Sequence, residues 1–114
     1  MPTTFLDRER AFEAKFAHDE EFRFLALARR DKLFGRWAAT TLKSSKEEGD
    51  ALVKTVLTIA DGPGHDLALL EYIAGLLSAR GRGFEGSLPE VLARCMQDAR
   101  AQLVEKPPEY SDLR

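Results

Sequence analysis

The feature that most constrains the fold is a helical spacing of apolar residues, which recurs in four segments of the sequence. No stretch alternates apolar and polar residues for long enough to indicate a β-strand. The sequence therefore predicts an all-α fold in which four amphipathic helices pack as an antiparallel four-helix bundle. A chain of 114 residues has room for one domain and little more.

Breaker and capping residues predict the limits of the first two helices. The first helical region runs from about residue 4 to residue 42 and is interrupted only by Gly35. The second begins after Ser45, which is spaced to form a capping box with Glu48. The Gly-Pro-Gly sequence at residues 62–64 is expected to stop it.

The last two helices have signals of the same kind. The third is predicted over about residues 67–79, with Asp66 as its N-terminal cap and Gly81 as a left-handed C-terminal cap. The fourth opens at Ser87, with Glu90 as the capping-box partner, and a Pro-Pro pair ends it.

The first helical region is too long for the other three helices to cover. At about 1.5 Å per residue it would extend roughly 58 Å, whereas the others would span only about 20–26 Å. Charged Asp19, Glu20 and Arg23 also interrupt its apolar face between Phe16 and Leu27. The predicted parts are therefore an N-terminal arm, a four-helix bundle and a flexible C-terminal tail, at residues 1–18, 19–106 and 107–114.

The N-terminal arm (residues 1–18) carries one narrow apolar seam. Phe5, Phe12 and Phe16 fall within about 40° of one another on a helix. An isolated helix of about 15 residues is marginal in water, so we expect the arm to be disordered alone and helical on a surface that accepts the seam. The alternative is that the arm folds back as a fifth element or packs in a homodimer.

Charge and composition argue against several classes of protein. Hydrophobic residues make up 44% of the chain and charged residues 32%, which is typical of a globular domain and too interrupted for a membrane span. The formal net charge of −2 argues against nucleic acid as a partner. The N-terminus lacks the order of a secretory signal, so cytoplasm is the expected compartment.

Cysteine and histidine give no sign of a metal or cofactor site. The single cysteine, Cys95, permits no intramolecular disulfide and no cysteine-based zinc site, and it lies on the apolar face of the fourth helix as a core residue. His18 and His65 are far apart, and neither has a neighbour at a ligand spacing. We expect no metal and no cofactor.

Residues 81–86, Gly-Arg-Gly-Phe-Glu-Gly, match the Gly-x-Gly-x-x-Gly pattern of dinucleotide sites. That pattern needs a preceding strand, and here a helix precedes it, so we interpret the segment as a loop with Phe84 packed beneath it. A small module that binds an adenine nucleotide weakly, in this loop or in the bundle crevice, is the alternative function. An enzyme has almost no support, because neither paired carboxylates nor a nucleophile with a base can be found.

Residues 28–37 form a basic cluster beside Trp37. Nucleic-acid binding is one interpretation of such a cluster. A solvated helix face is the other, and the overall charge favours it. Arg29, Asp31 and Lys32 all lie away from the centre of the apolar face of the first helix.

The sequence DRERAFEAKFAHDEE at residues 7–21, followed by ARRDKLFGRWAA at residues 28–39, resembles the zeta subunit family, the small inhibitor of the F-type ATP synthase in alphaproteobacteria. The resemblance implies a four-helix bundle without catalytic activity. It also implies a cytoplasmic protein that lies peripheral to the inner membrane through the ATP synthase, with no direct membrane insertion.

The resemblance further implies a mechanism for the arm, which would fold as a helix at a catalytic interface of the ATPase head, against the central rotor. There it would block rotation in the hydrolytic direction. The partner contacts assigned by position are Phe5, Arg8, Arg10, Phe12, Lys15 and Phe16. Secondary contacts from the basic cluster are Arg29, Arg30 and Lys32. A helical interaction protein with a different partner is a further alternative.

Overall fold

The described part of the chain is entirely built from helices and their connections. In a computed structural model, described for residues 20–84 and 86–105, four helices pack together. They are α1 (Glu20–Thr41), α2 (Lys46–Leu57), α3 (His65–Ala79) and α4 (Leu88–Glu105). The prediction of an all-α, four-helix fold is confirmed. The N-terminal arm and the C-terminal tail lie outside the described residues.

Helix α1 is the one against which the others are arranged, and α2 and α4 make its most extensive contacts. Near its start, Phe22 and Ala26 pack with Leu103 from the last turn of α4. The Arg100 guanidinium lies 5.8 Å from the centroid of the Phe22 ring and adds a cation–π contact. The two helices are therefore antiparallel, and the start of α1 lies level with the end of α4.

The C-terminal half of α1 packs closely against α2 through a glycine. A β-carbon at Gly35 would lie 3.3 Å from Cγ2 of Val53 and 3.5 Å from its Cα. Glycine at this position thus allows the two backbones to approach. The single glycine that interrupts the long helical region of the sequence is a packing residue and does not break the helix.

The main core lies between all four helices. Phe34 is fully buried at its centre and stacks on Trp37, with ring centroids 5.8 Å apart. Trp37 in turn meets the Phe84 ring edge-on at 5.0 Å, so the loop after α3 is fastened to α1 as predicted. The buried members of this core are Phe34, Ala38, Leu42, Leu52, Val56, Leu69, Ile73, Leu77, Val91, Leu92 and Cys95.

Cys95 is confirmed as a core residue. Its side chain is buried in the main cluster, and burial raises the pKa of the thiol above its ordinary value. A thiol with a raised pKa is a poor nucleophile at neutral pH, because little of it is ionised.

Two of the predicted helix ends are formed as expected. The Glu48 N–H donates to Ser45 Oγ at 3.1 Å and the Ser45 N–H donates to Glu48 Oε1 at 3.0 Å, which completes the capping box. Gly81 adopts a left-handed φ of 63°, and the Arg82 N–H reaches back to the Leu77 carbonyl at 2.9 Å.

Two other boundaries differ from the prediction. Helix α2 ends at Leu57, well before residues 62–64, because Thr58 closes it: the Thr58 hydroxyl and N–H both donate to the Thr55 carbonyl, at 2.6 and 3.0 Å. Helix α3 begins at His65, and its N-cap, Gly64, provides no side-chain hydrogen bond. The prediction that Asp66 caps α3 is therefore wrong.

Candidate functional site

A buried network of charged side chains joins the middle of α1 to the first turn of α3. Arg30 and Asp31 are each only 5% exposed. Arg30 Nε and Nη2 lie 2.9 and 2.8 Å from Asp31 Oδ1, while its two terminal nitrogens donate to the Asp66 carboxylate at 2.7 and 3.3 Å. The guanidinium is thus shared by two carboxylates, one of them across the helix–helix contact. The Asp66 carboxylate therefore binds Arg30 and does not cap α3.

His65 completes the network, and its two hydrogen-bond partners favour the charged form of its ring. Its Nε2 lies 2.5 Å from Asp31 Oδ2, and its Nδ1 lies 3.0 Å from the Ala60 carbonyl oxygen. A carboxylate and a carbonyl oxygen can only accept, so the imidazolium is the form of the ring that can donate to both partners. Burial works against this charge, but the bonds to Ala60 and Asp31 outweigh it and raise the pKa of His65 above its ordinary value.

In this network the acidic groups, Asp31 and Asp66, lie in contact with the basic groups, Arg30 and His65. The Arg30 guanidinium holds the pKa of Asp66 below its ordinary value, which favours the ionised form of that carboxylate. Charges that are removed from water must be paired and hydrogen-bonded. The network satisfies this requirement, and it ties α3 to α1, two helices that otherwise make few contacts.

The charge on His65 predicts a pH dependence of stability. Because its pKa is raised in the folded state, the stabilisation is fully present below about pH 6.5 and is lost as pH rises through the folded-state value. We expect the free energy of unfolding, measured in urea between pH 5.5 and 9, to fall across that window in the native chain relative to His65→Gln. His18 is common to both chains, so its titration cancels. If the free energies of unfolding of the two chains, plotted against pH, stay parallel, the assignment of an imidazolium is contradicted.

A surface groove of about 370 Å³ opens directly over the network. We define it by six of its lining residues, which come from α1, from the end of α2 and from the connection into α3: Phe24, Leu27, Leu57, Ile59, Asp61 and His65. Phe24 and Leu57 are exposed large apolar side chains, and Asp61 presents a solvated carboxylate 4.0 Å from His65 Nδ1. The groove thus combines apolar side chains with charged groups, which include Asp61 and members of the ion network.

The predicted site residues fall into separate environments. Arg29 and Lys32 are exposed on α1, and Arg29 Nη1 donates to Gln102 Oε1 at 3.2 Å. Arg30 is buried in the network, so its guanidinium is not presented to a partner. The expectation that this cluster forms a solvated face is wrong at Arg30 and Asp31. The arm residues assigned to partner binding lie outside the described residues: Phe5, Arg8, Arg10, Phe12, Lys15 and Phe16.

Sequence reasoning missed the network, although the helical phase contained a signal for it. Arg30 stands four residues after Ala26 and four before Phe34, and both of these are fully buried. Residues spaced by four share a helix face, so the sequence alone places Arg30 on the apolar face of α1. Arg30 was nevertheless predicted to face solvent, because it is charged and its partner carboxylate on α3 is remote in sequence.

These features define a class of protein: a small helical module with a buried apolar core, a buried ion network and a surface groove of mixed character. The family model for the ATPase inhibitor subunit zeta matches residues 2–102, so the chain belongs to that family. It is accordingly an inhibitor subunit that binds the F-type ATPase, and a regulatory protein rather than an enzyme.

Two other comparisons gave no match, one with curated proteins and one with solved structures. Within residues 20–84 and 86–105, no helix combines the length and the apolar character needed to cross a membrane.

Proposed function

We propose that the N-terminal arm inserts as a helix at a catalytic interface of the ATPase head, against the central rotor, and blocks rotation in the direction of ATP hydrolysis. The family match supports this role because it begins at residue 2 and therefore includes the arm. A helix with one apolar seam suits insertion between the moving parts of a rotating machine, because its seam can pack into an apolar groove of the partner.

The observation that carries the proposal is the register of α1 against α4. Phe22 packs with Leu103, so Glu20 lies level with the last turn of α4. A helix continued from Glu20 toward the N-terminus would extend beyond the helices that cover α1. Eighteen residues of helix amount to about 27 Å, which is enough to enter a partner while the bundle stays outside.

The composition of the arm fits insertion into a protein interface. Burial of each phenylalanine of the seam would contribute on the order of 1.5–3 kcal/mol, which offsets much of the cost of ordering the arm. Arg8, Arg10 and Lys15 would face carboxylates of the head and guide the encounter. Exposed Arg29 and Lys32 would supply secondary contacts from the bundle.

The arm hypothesis predicts that a shortened chain beginning at Asp19 no longer inhibits ATP hydrolysis by the cognate catalytic head. The bundle that remains should keep its helical circular dichroism, because the cores described above lie within residues 20–105. The measurement is a titration of ATPase activity with the full-length and the shortened chain. Equal inhibition by both chains would refute the role of the arm.

A pair of single substitutions within the same titration separates the seam from the rest of the arm. Phe12→Ala removes an apolar anchor and should weaken inhibition about ten-fold or more, since 1.4 kcal/mol corresponds to a factor of ten. Ala14→Ser lies about 200° away on the helix and should leave inhibition nearly unchanged. Similar losses at both positions would show that the seam does not carry the binding.

A further inference from the structure

We propose that the surface groove over the ion network is the docking site for the chain's own N-terminal arm when the protein is not bound to the ATPase. In this state Phe12 and Phe16 contact the apolar side chains of the groove, and this part of the inhibitory seam is covered. The proposal concerns the free protein and so goes beyond the mechanism of inhibition.

The position of the groove relative to the arm is the first argument. The arm joins α1 at Glu20, and the groove runs along α1 from Phe24 to Leu27. Leu27 lies about 11 Å along the helix from Glu20, whereas the eight residues from Phe12 to Glu20 can span up to about 28 Å. After a reversal near residues 17–19, Phe12 can therefore reach any part of the groove.

The chemistry of the groove is the second argument. Phe24 and Leu57 are two of the four large hydrophobic side chains that are most exposed among the described residues, and both line this groove. A volume of about 370 Å³ lies within the range that accommodates a drug-sized molecule, so it can receive aromatic side chains. Covering these side chains removes an exposed apolar patch from water.

The charges at the edge of the groove match those between the two phenylalanines. Asp61 and Arg23 both line the groove. In the arm, Glu13 and Lys15 stand between Phe12 and Phe16. Docking the seam would allow Lys15 to pair with Asp61 and Glu13 with Arg23, which favours this segment over a purely apolar one.

Tethering decides between the chain's own arm and a second copy. A segment joined by a short linker experiences an effective concentration in the millimolar range. A second copy could compete only at a comparable protein concentration. The chain's own arm is therefore the occupant in dilute solution.

Paramagnetic relaxation enhancement on the free protein tests the proposal. A nitroxide is attached to Ala14→Cys in a full-length chain that also carries Cys95→Ala, and the amide resonances are compared with those of the reduced label. We expect Leu27, Ile59 and Gly62 to be broadened several-fold more than Ala101, which lies near the tether on α4 outside the groove. Uniform broadening around the tether, or none in the groove, would overturn the proposal.

Two groove variants and a mixed sample complete the test. Leu57→Ser should abolish the selective broadening, whereas Leu67→Ser, also an exposed leucine but outside the groove, should preserve it. Nitrogen-15-labelled chain without nitroxide, mixed with unlabelled spin-labelled chain, should show no groove broadening. Broadening in that mixture would assign the groove to a second copy instead. No ATPase enters the measurement, so its failure leaves the inhibition assay unaffected.

Discussion

Replacing Asp31 with alanine is expected to lower the free energy of unfolding by about 3–5 kcal/mol, which is the usual cost of removing one partner of a buried ion pair. Asp31 accepts hydrogen bonds from both Arg30 and His65, and it is buried. Without it, two cations remain in the interior opposite Asp66 alone. Urea unfolding followed by far-ultraviolet circular dichroism measures the loss.

Asp61→Ala is the matched control for this substitution. Its carboxylate also approaches His65, at 4.0 Å from Nδ1, but the side chain is 81% exposed. An exposed ion pair contributes little, so we expect a change within about 0.5 kcal/mol. Small and equal effects at the two positions would mean that the network does not hold α3 to α1.

The local features of the fold could be predicted from the sequence because they depend on residues close together in the chain. The capping box of Ser45 and Glu48 spans three residues, and Gly81 caps its helix through its own backbone. The helical spacing of apolar residues gave four helices and placed Cys95 in the core. Signals of this kind act within one or two turns, where sequence and structure are directly linked.

The charged network could not be predicted because it depends on contacts between helices. Asp66 is 36 residues from Arg30. An aspartate at the start of a helix reads as a cap, and the sequence contains nothing that reveals a guanidinium approaching from another helix. Asp66 forms a bidentate ion pair with Arg30 in preference to capping α3, because charge-assisted hydrogen bonds are roughly twice as strong as neutral ones. Arg30 and Asp31 were assigned to solvent for the same reason.

The same distinction between local and long-range signals applies to the candidate partner site. Helical phase alone predicts that Phe5, Phe12 and Phe16 form one seam, and their number and spacing indicate that it needs a surface. The identity of that surface is not a property of the phase, and our proposal for it rests on the family to which the chain belongs. The surface groove was missed, because Phe24, Leu57 and Ile59 come from distant parts of the chain.

Phe34→Ala is the second substitution for which we expect a large loss of stability, again about 3–5 kcal/mol. The Phe34 side chain is 0% exposed at the centre of the main core, and its removal leaves a cavity and ends the stacking on Trp37. Circular dichroism is the suitable probe, because Trp37 fluorescence would respond to the lost contact itself.

The same replacement ten residues earlier in the same helix provides the control. Phe24 is 61% exposed, so in a shortened chain beginning at Asp19, where the arm cannot cover it, Phe24→Ala forms no internal cavity and should change the free energy of unfolding by no more than about 0.5 kcal/mol. If Phe24→Ala proved as costly as Phe34→Ala in that shortened chain, the exposed position of Phe24 on the four-helix bundle would be wrong. In the full-length chain, the arm docked in the surface groove would add a cost to Phe24→Ala that the shortened chain lacks.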